Sequence, residues 1–155
     1  MATSIVSYRK TSDAYTTYQL RMPDAQGAGD ESYCAELGTI DGFTYVSVPD
    51  GVTLPEQHPQ VAATLQTVTP TAELIAQLKA TSPHCALISE RMVQKIRASY
   101  SIDDEMFFAR IGVGASVGMY QPTPAELVEM QAFGEFVEAV PQWGRTERAK
   151  LGLTI

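Results

Sequence analysis

The sequence predicts an α+β fold: an N-terminal antiparallel β-sheet built from hairpins over residues 3–68, then a C-terminal helical region of three to four helices from residue 70. Two observations carry this reading. β-branched and aromatic residues crowd the first third of the chain around an Asp41-Gly42 pair, and helix-start signatures recur only after residue 68. The division falls into a β-rich region, 1–69, and a helical region, 70–155. A length of 155 residues suits one main core, and the sequence leaves open whether both regions share it. Nine prolines and eleven glycines predict a large irregular fraction.

Residues 3–8 and 14–22 carry Ile5, Val6, Tyr8, Tyr15, Thr16, Thr17, Tyr18 and Leu20 around a polar turn at 9–13, which predicts a two-stranded ribbon. The small polar run 24–32 reads as a mobile loop. Its Gly27 and Gly29 confer flexibility and do not cradle phosphate, because no helix start follows them. Asp41-Gly42 supplies the two positive-φ positions of a type I′ turn between strands 33–40 and 43–48. The second strand alternates, with Phe43, Tyr45 and Ser47 on one face and Thr44, Val46 and Val48 on the other. That pattern predicts one packed and one partly wet face. The open face or an unpaired edge would take a partner through Phe43 and Tyr45. Pro49, Pro55 and Pro59 predict an extended connection, and His58 within it has no Ser, Cys or carboxylate partner at a catalytic spacing. A short strand is expected within 61–68.

Thr69-Pro70 with Glu73 opens a short helix that buries Leu74, Ile75 and Leu78. Ser82-Pro83 opens the next, with Cys85, Ile88, Met92, Ile96 and Tyr100 at helical spacing. Ser101 and Asp104 have capping-box spacing, and Asp103 and Glu105 add charge where the helix dipole favours it. These three acids make a poor metal cluster, since consecutive helical residues point about 100° apart. Gly114-Ala115-Ser116-Val117-Gly118 spells a nucleophile elbow. An elbow needs a strand before it and a helix after it, and no histidine follows Ser116 to complete a hydrolase triad. Gly112 or Gly114 is expected instead as a left-handed helix cap opening a loop over 112–118. Thr123-Pro124-Ala125-Glu126 starts the last helix, buried through Leu127, Met130, Phe133, Val137 and Val140 and broken or kinked near Pro141. Beyond it, Arg145, Arg148 and Lys150 beside Trp143 read as a solvated helical face, although Trp143 with Arg145 and Arg148 also has the composition of a docking hot spot.

The net charge is −7, and no Lys or Arg occurs between Arg21 and Lys79. A phosphate backbone would be repelled there, so nucleic-acid binding is not expected. Cys34 and Cys85 match no metal spacing, and neither a cofactor nor a metal is expected. The N-terminus lacks the apolar core of a secretory signal, and no apolar run approaches membrane-spanning length, so the expectation is a cytoplasmic protein without membrane contact.

The stretches IRASYSIDDEMFFARIG (96–112), FGEFVEAV (133–140) and QWGRTERAKLGL (142–153) resemble the C-terminal part of small proteins from the tail-fibre region of Mu-like bacteriophages and prophages. The resemblance covers about 60 residues. It implies a non-enzymatic accessory or assembly protein whose partner is a phage tail-fibre or tail protein. Such a protein would act in the host cytoplasm during assembly, with self-association also open to it. A structural component of the virion tail is the alternative, and a ligand-binding or hydrolytic module using the 112–118 glycines is a second.

Overall fold

Asp41 and Gly42 adopt φ of 50° and 80° in the computed structural model, which describes residues 3–23 and 33–154, and so form the turn their sequence demands. They join strands β4 (Ala35–Ile40) and β5 (Phe43–Pro49), while β1 (Thr3–Tyr8) pairs antiparallel with β5 on one side and with β6 (Gln66–Val68) on the other. The four-stranded order is β4-β5-β1-β6. All the long helices follow the strands, and the fold is α+β. The chain divides into two compact units, residues 1–87 with 146–155, and residues 88–145. The loop expected over residues 24–32 lies outside the described residues.

In the first unit β1 is a central strand and not half of an N-terminal ribbon. Its expected partner, 14–22, contributes only Thr17–Tyr18 (β3), which pairs with Thr11–Ser12 (β2). Asp13 explains the local turn: its Oδ1 accepts from the backbone of Tyr15 and Thr16 at 2.8 and 2.7 Å, and its Oδ2 accepts from the Tyr18 hydroxyl at 2.7 Å. These bonds, that from Tyr15 foremost, hold its carboxyl below the ordinary range.

The alternation of β5 is as expected, but the prediction of a wet face is corrected. Ile5, Leu37, Ile75, Leu78, Cys85 and Leu153 form a buried cluster that Tyr45 packs against. Val6, Tyr8, Leu20, Val46, Val48 and Val61 form a second cluster, so the alternate residues of β1 and β5 are covered too. Met22, Val52, Leu54 and Leu65 flank it, and they come from aperiodic stretches that act as a lid. Gln57 fastens that lid, accepting from Arg21 N–H at 2.8 Å and donating to the Arg21 and Pro55 carbonyls at 3.0 and 2.6 Å. His58 is half-buried, stacked on Tyr18 with ring centroids 4.1 Å apart, and caps the four-residue helix α1 (Pro59–Ala62). The strand expected over 61–68 thus shortens to 66–68.

Helix α2 (Ala72–Thr81) starts one dipeptide later than expected. Thr71, not Thr69, caps it, accepting from Leu74 N–H at 3.2 Å. Ser82 follows as a fully buried residue whose hydroxyl has no hydrogen-bond partner, so the Ser-Pro start of α3 (Pro83–Ser99) lacks the expected side-chain cap. Cys34 and Cys85 are not joined in a disulfide.

In the second unit, α3 presents Ile88, Met92 and Ile96 at the predicted spacing. Tyr100 joins Phe108, Phe133 and Phe136 in an aromatic cluster, with Tyr100 edge-on to Phe133 at 5.0 Å and Phe108 stacked on Phe133 at 4.9 Å. Helix α4 (Ile102–Ser116) opens on a full capping box. Ser101 accepts from Asp104 N–H at 3.1 Å, and the Asp104 carboxylate accepts from Ser101 N–H at 2.7 Å. The glycine-loop expectation is corrected: Gly112 and Gly114 lie inside α4, and the left-handed residue is Gly118, with φ 73°. Gly118 N–H donates to Ala115 O and Met119 N–H to Gly114 O, a Schellman ending. Ser116 sits in the helix with its hydroxyl donating to Val113 O at 2.8 Å, which is not elbow geometry.

Helix α5 (Pro124–Lys150) opens on a second box, with Thr123 N–H donating to Glu126 Oε2 at 2.7 Å. It runs through Pro141 without the expected break. One lost backbone bond is carried by 27 continuous residues, with Val140 and Gly144 buried on either side of the proline.

The two boxes make acid sensitivity predictable. Hydrogen bonds from Ser101 lower the Asp104 pKa, and those from Thr123 N–H and then Tyr120 lower that of Glu126. A carboxyl depressed in the folded state contributes stability fully above its unfolded value, and that contribution is lost as pH falls through the folded value. Asp104→Asn combined with Glu126→Gln should flatten the stability–pH curve between about pH 5 and about pH 2. Denaturant melts at each pH check this; an unchanged slope would exclude the boxes as its source.

Candidate protein-docking surface

The large exposed apolar side chains concentrate in the second unit. On α4 and at its C-cap, Ile102, Met106, Val113 and Val117 are all more than half exposed, and they recur with Ala109 at the three-to-four-residue spacing of one helical face. Phe108 and Ile111 point to the interior. The helix is therefore apolar on two faces, only one of which the unit covers.

The turn between α4 and α5 extends this surface. The Schellman ending turns the chain sharply at Gly118 and leaves Met119 87% exposed. Leu127 and Val128 follow, exposed, in the first turns of α5. Tyr120 is fixed in place: its hydroxyl donates to Glu126 Oε1 at 2.8 Å, and its Cβ lies 3.0 Å from where a Cβ on Gly114 would sit. The bond to Glu126 chiefly raises the Tyr120 pKa. Phe107, Arg110, Ile111, Gly114 and Tyr120 line a cleft of about 300 Å³, and the Arg110 guanidinium lies 5.8 Å from the Phe107 ring centroid. An apolar floor with one cation and one phenol at its rim matches the chemistry of a protein-binding surface.

No protein-family model, no curated protein and no solved structure matches this chain.

The residues expected to dock a partner fall on separate stretches. Phe43 and Tyr45 share one face of β5; Tyr45 packs on the buried cluster, and Arg9 covers Phe43 at 4.5 Å from its ring centroid. Trp143 lies in the second unit under the Lys95 ammonium, at 4.7 Å, and Arg145 donates to Gln142 Oε1 at 3.1 Å. Arg148, half-buried, belongs to the first unit. Sequence reasoning missed Met106, Val113, Val117, Met119 and Val128 as candidates. The signal was there, since Ile102, Met106, Ala109 and Val113 keep a 4-3-4 spacing beside the buried set.

The three acids at the start of α4 separate in use. Asp104 closes the capping box and Glu105 pairs with Arg97 at 2.9 Å, while Asp103 is exposed. Among the described residues no group of three or more His, Cys, Asp or Glu is placed to hold a metal ion, and no helix is long and apolar enough to cross a membrane.

Proposed function

We propose that this chain is a non-enzymatic accessory or assembly protein of a phage tail fibre, acting in the host cytoplasm by binding a fibre subunit through the α4–α5 turn. The observation that supports docking is the exposure of Val113, Val117, Met119, Leu127 and Val128 around one fixed turn, with Tyr120 and Arg110 beside them. Scattered apolar residues are ordinary on a protein surface, and what supports docking here is their concentration on the two helix ends and the one turn that joins them. The fibre as partner rests on the resemblance of residues 96–112, 133–140 and 142–153, which form most of α4 and α5.

Co-expression with a tail-fibre subunit of a Mu-like phage tests the reading. The subunit should co-purify with the chain. Met119→Asp with Val128→Asp should cut recovery at least about tenfold, the loss of two central apolar contacts, while leaving far-UV circular dichroism unchanged. No co-purification, or recovery indifferent to the two changes, sinks the proposal. Finding the chain in purified particles would favour a tail component over an assembly factor.

A further inference from the structure

The outward face of α4 carries a charge pattern complementary to itself. Asp103, Asp104, Met106, Phe107 and Arg110 line a shallow depression of about 500 Å³. Asp103 and Arg110 are seven residues apart, so they lie on one helix face about 10.5 Å apart along the axis, with Met106 between them. Asp104 and Glu105 are engaged within the unit, whereas neither Asp103 nor Arg110 is held in an ion pair among the described residues. Met106 is 67% exposed, and Phe107 lies beside the guanidinium.

We infer that this face is an interface with a second copy of the chain, formed by two α4 helices packed antiparallel about a twofold axis near Met106 and Phe107. The twofold operation places Asp103 of each copy on Arg110 of the other, forming two ion pairs, and Met106 of each copy against Phe107 of the other. Parallel packing would instead set acid on acid and Arg110 on Arg110, so the charges select the antiparallel arrangement. Ile102 extends the apolar seam at both ends. Val117, Met119 and Val128 lie beyond the paired segment, whereas Phe107 and Arg110 also line the cleft beside the turn proposed to dock the fibre, so the two surfaces adjoin.

Sedimentation equilibrium of the chain alone, from about 1 to about 200 µM, tests this, a range suited to a small interface. The wild type should dimerise. Arg110→Asp and Asp103→Arg should each weaken the dimer at least about tenfold, and the two together should recover it to within about threefold, because the swapped charges again meet opposite partners. Met106→Gln, neutral and helix-compatible, should weaken it without touching the charges. Far-UV circular dichroism and thermal melts confirm that each variant is folded. A monomer across the whole range overturns the inference, as does a double variant no better than the single ones. Neither result depends on whether a fibre subunit binds, since no fibre is present.

Discussion

Leu153→Ala should lower the unfolding free energy by about 3 kcal/mol, the middle of the range for removing a buried leucine side chain. Leu153 is fully buried among Ile5, Leu37, Ile75, Leu78 and Cys85. A local device delivers it there. Helix α5 ends in a Schellman motif, with Gly152 N–H donating to Ala149 O at 2.9 Å and Leu153 N–H to Arg148 O at 3.1 Å, and Gly152 taking φ 73°. The Thr3 hydroxyl also donates to Lys150 O at 3.0 Å, tying the end of the helix to the start of β1. Truncation to Ala removes apolar contacts on several sides and leaves a cavity that the sheet cannot collapse to fill. Leu127→Ala, at a position 52% exposed, is the matched control and should change stability by less than about 0.5 kcal/mol. Urea denaturation followed by far-UV circular dichroism gives both numbers. Equal effects of the two substitutions would mean that Leu153 does not sit in the core.

What the sequence discloses and what it hides divide along the range of the interactions. The Asp41-Gly42 turn and the capping boxes at Ser101 and Thr123 were legible because each is settled within four residues by backbone geometry and side-chain hydrogen bonds. The pairing of β1 with β5 and β6 was not, because it joins residues about 40 and 60 positions apart, and nothing in the local pattern of 3–8 selects those partners over 14–22. The second covered face of the sheet escaped for a related reason. Leu20, Val52, Leu54 and Leu65 come from stretches with no period of 2 or 3.6, so periodicity could not mark them as core. On α4 the difficulty is reversed. Phe108 and Ile111 face inward while Met106 and Val113 face outward, and both sets are apolar. A hydrophobic pattern shows where apolar residues lie around a helix, and only the packing shows which of them the rest of the unit covers. The candidate docking surface and the proposed self-complementary face depend on that second kind of information.

Gly38→Ala should cost about 2 to 3 kcal/mol, more than a change of one methyl group costs at most exposed strand positions. The residue stands at an irregularity in the β4–β5 ladder, where the register shifts between Glu36 and Gly38. Its φ of 146° belongs to backbone that residues with a Cβ rarely adopt, so any substitution is strained before a neighbour is considered. A neighbour is also present. A Cβ built at Gly38 would meet Thr81 Oγ1 at 3.1 Å, and that hydroxyl already donates to Gln77 O at 2.9 Å at the end of α2. The two contributions separate in a double-mutant cycle. Thr81→Ala in the Gly38→Ala background should relieve the steric part and restore less than about 1 kcal/mol, leaving the backbone strain in place. Full restoration would mean that crowding alone requires the glycine. No loss in the single variant would mean that β4 does not need this conformation to place Leu37 in the core, where that residue is fully buried one position before the glycine. The bulge turns an otherwise alternating strand so that Leu37 joins the cluster facing α2 while Glu36 remains free to pair with Lys10 at 2.7 Å. The expected cost at Gly38 therefore measures how much of the stability of the first unit rests on that one displaced residue.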